Sequence, residues 1–89
     1  MTRENDDPGE RSRVYSKIAP IILDFARQNA GRLFHVEDLR VHVLQSAPDI
    51  APDSPGRILR LLRQQGKLNY RVIDRRDSLY LFISARAAA

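Results

Sequence analysis

The sequence contains no cysteine. That absence excludes disulfide staples, thiolate zinc sites and cysteine nucleophiles at once. Long apolar runs are missing too. None approaches the roughly 20 residues that a helical bilayer span needs, so no membrane association is expected. The opening stretch MTRENDDPGER is polar, with no apolar core segment, so no secretory signal peptide is expected and the reading is a cytoplasmic protein. No Ser–His–Asp order, phosphate-cradling glycine loop or paired-carboxylate spacing stands out, so no catalytic residue is assigned and the chain reads as a non-enzyme. His35 and His42 have no clustered third ligand, which leaves a helix cap and a surface histidine rather than a metal site or a cofactor. Asp49 and Asp53 flank Ala51-Pro52 without the rest of a calcium loop, and read as turn and cap residues.

What is there is the composition of one small folded domain. The chain has 89 residues, 43% hydrophobic and 29% charged, with 15 Lys and Arg against 11 Asp and Glu and a net charge of +4. That length supports one domain, and the balance is too apolar for a disordered chain. Residues 1–13 hold almost no apolar side chain and are expected to form a flexible tail. Residues 85–89, ARAAA, are expected to fray, which puts the domain at 14–84.

Within the domain the pattern alternates between helical and strand periods. Ile18, Ile21, Ile22, Phe25 and Ala26 recur at helical spacing. Pro20 has no N–H and fits a first turn, so this helix is expected to start near Ser16 as N-cap, and Asn29 and Gly31 supply its stop. A short extended stretch, 32–35, leads to VEDLRVHVLQ. There Leu39 and Val43 share a face, His35 sits at the N-cap, and Glu37 and Asp38 occupy the anion-favouring first turn. After a connector with two prolines, DSPGRILRLLRQQGKL carries Ser54 (or Asp53) as cap, Pro55 at the start and Gly66 past the end. Leu68, Tyr70 and Val72 then alternate with polar residues, Asp74–Ser78 make a polar turn, and Leu79–Ile83 form an apolar strand.

The order is helix, short strand, helix, helix, strand, turn, strand. With Leu39 and Val43, with Leu59, Leu62, Gly66 and Leu68 in an L-x-x-L-x-x-x-G-x-L string, and with the hairpin that follows, residues 14–83 resemble the winged helix-turn-helix family, especially its small bacterial and phage members. One departure is the connector between the second and third helices, which is longer and richer in proline than the usual tight turn. The resemblance implies an α+β fold of three helices, a short strand and a C-terminal β-hairpin wing. It also implies double-stranded DNA as partner, met by the third helix and the wing, and a role in transcription regulation.

The charge distribution points the same way. Residues 57–76 contain Arg57, Arg60, Arg63, Lys67, Arg71, Arg75 and Arg76 against Asp74 alone, a local surplus larger than that of the whole chain. At 100° per residue, Pro55, Ile58, Leu59 and Leu62 define a core face, and Asp53, Arg57, Arg60 and Gln64 lie opposite. Arginine can read a guanine edge and glutamine an adenine edge, so Arg57, Arg60 and Gln64 are expected in the major groove. Gly56 permits close backbone approach, and Ser54 is expected to offer a hydroxyl near a phosphate. Lys67, Arg71, Arg75 and Arg76 are expected on phosphates or in the minor groove. Asp53 shares the reading face and opposes phosphate. Arg63 reads as solvated surface, and Tyr15, Tyr70 and Tyr80 as packing residues.

The last strand is apolar on both faces, whereas a hairpin covering one helical layer needs only one. Either the first helix and the tail cover the second face or a second subunit does, and a homodimer matching a palindromic site is the favoured expectation. The alternative to DNA is a protein-interaction module that turns the same basic surface to an acidic protein partner, for example a phage-borne inhibitor of a host protein. Asp53, Leu61 and the doubly apolar strand leave room for it.

Overall fold

The computed structural model describes the backbone of residues 8–85 and the side chains of residues 12–85. Three helices, α1 (Pro8–Gln28), α2 (Val36–Ser46) and α3 (Ser54–Gln64), pack on three strands, β1 (Leu33–His35), β2 (Leu68–Asp74) and β3 (Leu79–Ala85). The sheet is antiparallel in the order β1-β3-β2, so the last strand in sequence is the central one in space. The result is a small α+β domain.

One core joins all six elements. Ile18, Ile22, Leu23 and Ala26 of α1 meet Leu39 and Val43 of α2, Ile58, Leu59 and Leu62 of α3, and Phe34, Leu68, Tyr70 and Phe82 of the sheet. Phe34 stacks on Phe82 with centroids 3.8 Å apart, and Phe25 meets both rings edge-on. Among the described residues no helix is long and apolar enough to cross a membrane.

The first helix corrects two expectations. It begins at Pro8, not near Ser16, so residues 8–13 are helical rather than part of a tail. A helix nucleated on the buried Ile18–Ala26 segment propagates outward at low cost, and straight-chain residues such as Glu10, Arg11 and Arg13 do not oppose it. Pro8 itself suits a helix start. Pro20 therefore lies inside the helix, where it leaves the Ser16 carbonyl without its usual donor. Both residues are exposed, and an exposed carbonyl can bond to solvent instead. The far end corrects a third expectation: Ala85 belongs to β3, not to a frayed end. Residues 1–7 and 86–89, the remainder of the two expected tails, lie outside the described residues.

The other local signals act as their chemistry dictates. Asn29 closes α1 through side-chain and backbone donors to the Phe25 carbonyl, and Gly31 follows at φ +79°. His35 caps α2: its Nδ1 accepts the Glu37 N–H at 3.2 Å, while its own N–H donates to Asp38 Oδ2 at 3.3 Å. His42 is half-buried, its ring 4.9 Å from that of Phe25. At the end of α3, Gly66 at φ +75° donates to the Arg63 carbonyl and Lys67 to the Leu62 carbonyl. That reciprocal pair closes the helix and turns the chain into β2.

The hairpin is less regular than simple alternation predicts. Val72 pairs with Tyr80 but Asp74 pairs with Leu79, which leaves Ile73 as an extra residue on β2. Asn69 pairs with Ser84 but Tyr70 with Phe82, which leaves Ile83 as an extra residue on β3. Bulges of this kind release a side chain from the ladder, and Ile73 and Ile83 are both exposed. Val72, expected to face the core, is exposed as well.

Candidate nucleic-acid interface

Helix α3 sorts its side chains into two groups. Ser54, Pro55, Ile58, Leu59 and Leu62 point inward and are buried. Asp53, Arg57, Arg60 and Gln64 are exposed, so the face opposite the core carries the residues that periodicity assigned to it. Gly56 is half-buried, and a Cβ built on it meets nothing within 4 Å, so the backbone there is open to an approaching molecule.

Ser54 is the correction within the site. Its side chain is 2% exposed and its Oγ accepts from Arg57 Nη2 at 3.1 Å, so it offers no hydroxyl to a phosphate. The reason is a one-residue shift of the helix start. Asp53 occupies the N-cap position, without a side-chain capping bond, and Ser54 becomes the first helical residue. From there it lies one turn before Ile58, on the inward face. The buried hydroxyl serves instead to hold the Arg57 guanidinium.

The remaining cations are all exposed. Arg71 lies on β2 opposite Leu81, on the sheet face that also carries the exposed Leu33. Arg75 and Arg76 occupy the turn between β2 and β3. Asp74 organises that turn, its Oδ1 accepting the N–H groups of Arg76 (3.0 Å) and Asp77 (3.3 Å), and Ser78 closes it at φ 54°. Asp74 and Asp77 balance the two arginines in number, so the surplus at the turn is smaller than the arginines alone suggest.

Sequence reasoning missed how Lys67 and Arg63 are held. Lys67 Nζ donates to Tyr15 Oη at 3.1 Å, and Tyr15 Oη donates to Gln65 Oε1 at 2.7 Å. The Arg63 guanidinium lies 4.6 Å from the Tyr70 ring centroid. All these partners are uncharged side chains, so these contacts are not ion pairs. No spacing signal links residues some fifty positions apart, which is why Tyr15 read only as a packing residue.

The three ion pairs among the described residues lie elsewhere: Lys17–Asp49, Arg27–Asp24 and Arg40–Glu37. The hydrogen bond from Lys17 holds the Asp49 carboxyl below its ordinary range, helped by a backbone hydrogen bond and by the Lys17 charge. The hydrogen bond from Arg40 does the same for Glu37. Among the described residues, none of the seven cations in 57–76 pairs with a carboxylate. No family model, curated protein or solved structure matches the chain, so the reading of this surface stands on its residues and geometry alone.

Proposed function

We propose that the protein is a winged helix-turn-helix domain that binds double-stranded DNA in a sequence-specific way and regulates transcription. The observation that carries the reading is the run of seven exposed cations from α3 through the hairpin, none of them ion-paired among the described residues. Arg57 and Arg60 lie on the outward face of α3, and Gln64 continues that face one turn on. In this reading α3 enters the major groove, with Arg57 and Arg60 on base edges and Gln64 available for adenine. The β2–β3 hairpin is the wing, and Arg71, Arg75 and Arg76 lie along the backbone or the minor groove. Lys67 adds a backbone contact.

Exposed apolar residues of the sheet support a homodimer: Leu33 on β1, and Ile73 and Ile83 at the bulges of the hairpin. Light scattering at increasing concentration should then give twice the chain mass, and a monomer throughout would remove the dimer. The same exposed apolar residues, with Val41 on α2, are what favour the second reading, an interaction module for an acidic protein. Duplex binding over a range of salt, for the natural protein beside Arg57→Ala/Arg60→Ala, separates the two. Binding that weakens with salt and collapses in the double variant is the expected result. No binding at low salt would overturn the DNA reading, and binding untouched by the two substitutions would overturn the role given to α3.

A further inference from the structure

A cleft opens at the end of the hairpin away from the Asp74–Ser78 turn. It has a volume of about 590 Å³, and Arg63, Gly66, Lys67, Asn69 and Ser84 contribute to its lining, which includes no acidic residue. The strand β2 separates it from the turn by seven residues, about 20 Å at strand rise. Its α3 residue, Arg63, lies at the C-terminal end of the helix, about 9 Å along the axis from Arg57.

Its two cations are positioned before any ligand arrives. Stacking on Tyr70 fixes the Arg63 guanidinium while leaving its planar fork of N–H groups free. Lys67 donates one proton to Tyr15 and keeps two. Asn69 and Ser84 face each other across β2 and β3, both exposed, and their side chains make no hydrogen bond within the described residues. They add amide and hydroxyl donors beside the two charges. The carbonyl end of α3 opposes an anion in general. Here the Leu62 and Arg63 carbonyls are already occupied by the Lys67 and Gly66 N–H groups.

We propose that this cleft binds the phosphate of a monoester, a site beyond the DNA reading of α3 that shares Lys67 with it. A phosphate monoester carries a charge of about −1.5 to −2 at neutral pH and three strong acceptor oxygens. That matches two unneutralised cations and two neutral donors, whereas a carboxylate, with one charge and two oxygens, leaves donors over. The volume falls within the roughly 300–1,000 Å³ of small-molecule sites and exceeds what a bare phosphate fills. The ligand class is therefore a phosphate monoester with an organic part, such as a free nucleotide or sugar phosphate.

The test follows amide NMR shifts of the full chain during titration with inorganic phosphate and with adenosine monophosphate, at ionic strength held constant with chloride. Saturable shifts confined to residues 66–69 and 84, with the nucleotide tighter than phosphate, are expected. The Arg63→Gln/Lys67→Gln variant should bind at least about tenfold more weakly, with the rest of its spectrum unchanged. Shifts that do not saturate, or that spread equally over Arg57, Arg60 and Arg75, would overturn the proposal. Duplex added to the nucleotide complex tests independence from the DNA surface: simultaneous binding is expected, and displacement of the nucleotide would overturn the cleft as a site for a free ester. Because Arg57→Ala/Arg60→Ala leaves the cleft intact, its nucleotide shifts report on the cleft whether or not the DNA reading holds.

Discussion

The two halves of the molecule handle positive charge in opposite ways. On α1, α2 and the connector between α2 and α3, Lys17, Arg27 and Arg40 each face a carboxylate. On α3 and the hairpin, the cations face serine, tyrosine or solvent. A surface shaped only for stability intersperses the two signs, because clustered like charges repel one another. The second half keeps its repulsion, and an anionic partner is what would relieve it. The first half is the scaffold that holds this surface in place.

Charge removal should therefore have its largest effect in the second half. Arg57→Ala/Arg60→Ala is expected to lose about 2–6 kcal/mol of duplex binding, two base-contacting arginines at about 1–3 kcal/mol each. Stability should fall by no more than about 1–3 kcal/mol, because Arg57→Ala leaves the buried Ser54 hydroxyl without its partner. Arg27→Ala/Arg40→Ala should leave duplex binding within about 0.5 kcal/mol of the natural protein. If about four to six cations neutralise phosphates, the slope of log K against log salt should be about −3.6 to −5.4. Arg75→Ala/Arg76→Ala should then make it shallower by about 1.8. Equal losses from the two halves would break the comparison outright.

The next effect belongs to the scaffold. With Pro20 inside α1, Pro20→Ala restores the bond to the Ser16 carbonyl and should raise stability by about 1–3 kcal/mol, read by denaturant unfolding. Duplex affinity should stay the same. No gain in stability would mean that Pro20 sits in a first turn after all, and a change in affinity would mean that the two halves are not separable.

How far the fold could be read depended on the range of the physical signal. The buried face of α3, the His35 cap, the Asn29–Gly31 stop and the hairpin turn are local, each set within a few residues, and each is legible in the sequence. The start of α1 was not, because polarity reports on burial, whereas a helix anchored further along extends through polar residues at little cost. Ser54 failed for a geometric reason. Moving the cap by one residue rotates a side chain by about 100°, enough to turn it from the solvent to the core. The bulges at Ile73 and Ile83 break an alternation that the sequence itself continues. The Lys67–Tyr15–Gln65 chain is tertiary, and nothing local encodes it.

The smallest effect tests the scaffold's pairing directly. Lys17 holds Asp49 below the ordinary carboxylate range through a hydrogen bond, and so ties the connector before α3 to α1. A carboxyl whose folded pKa is depressed contributes stability that is fully present above its unfolded pKa and is lost as pH falls through the folded value. Glu37 behaves alike through Arg40. Acid should therefore remove this small contribution from α2 and the connector, while the cations of α3 and the hairpin, lacking carboxylate partners, lose none. Carboxyl-carbon NMR should show Asp49 titrating below the usual range, and Lys17→Met should return it upward without moving Glu37. Asp49 unmoved by that substitution would mean the pair does not persist in solution. The connector would then be held by the burial of Ala47 and Ile50 and by its own backbone hydrogen bonds, and the paired character of the first half would rest on α1 and α2 only.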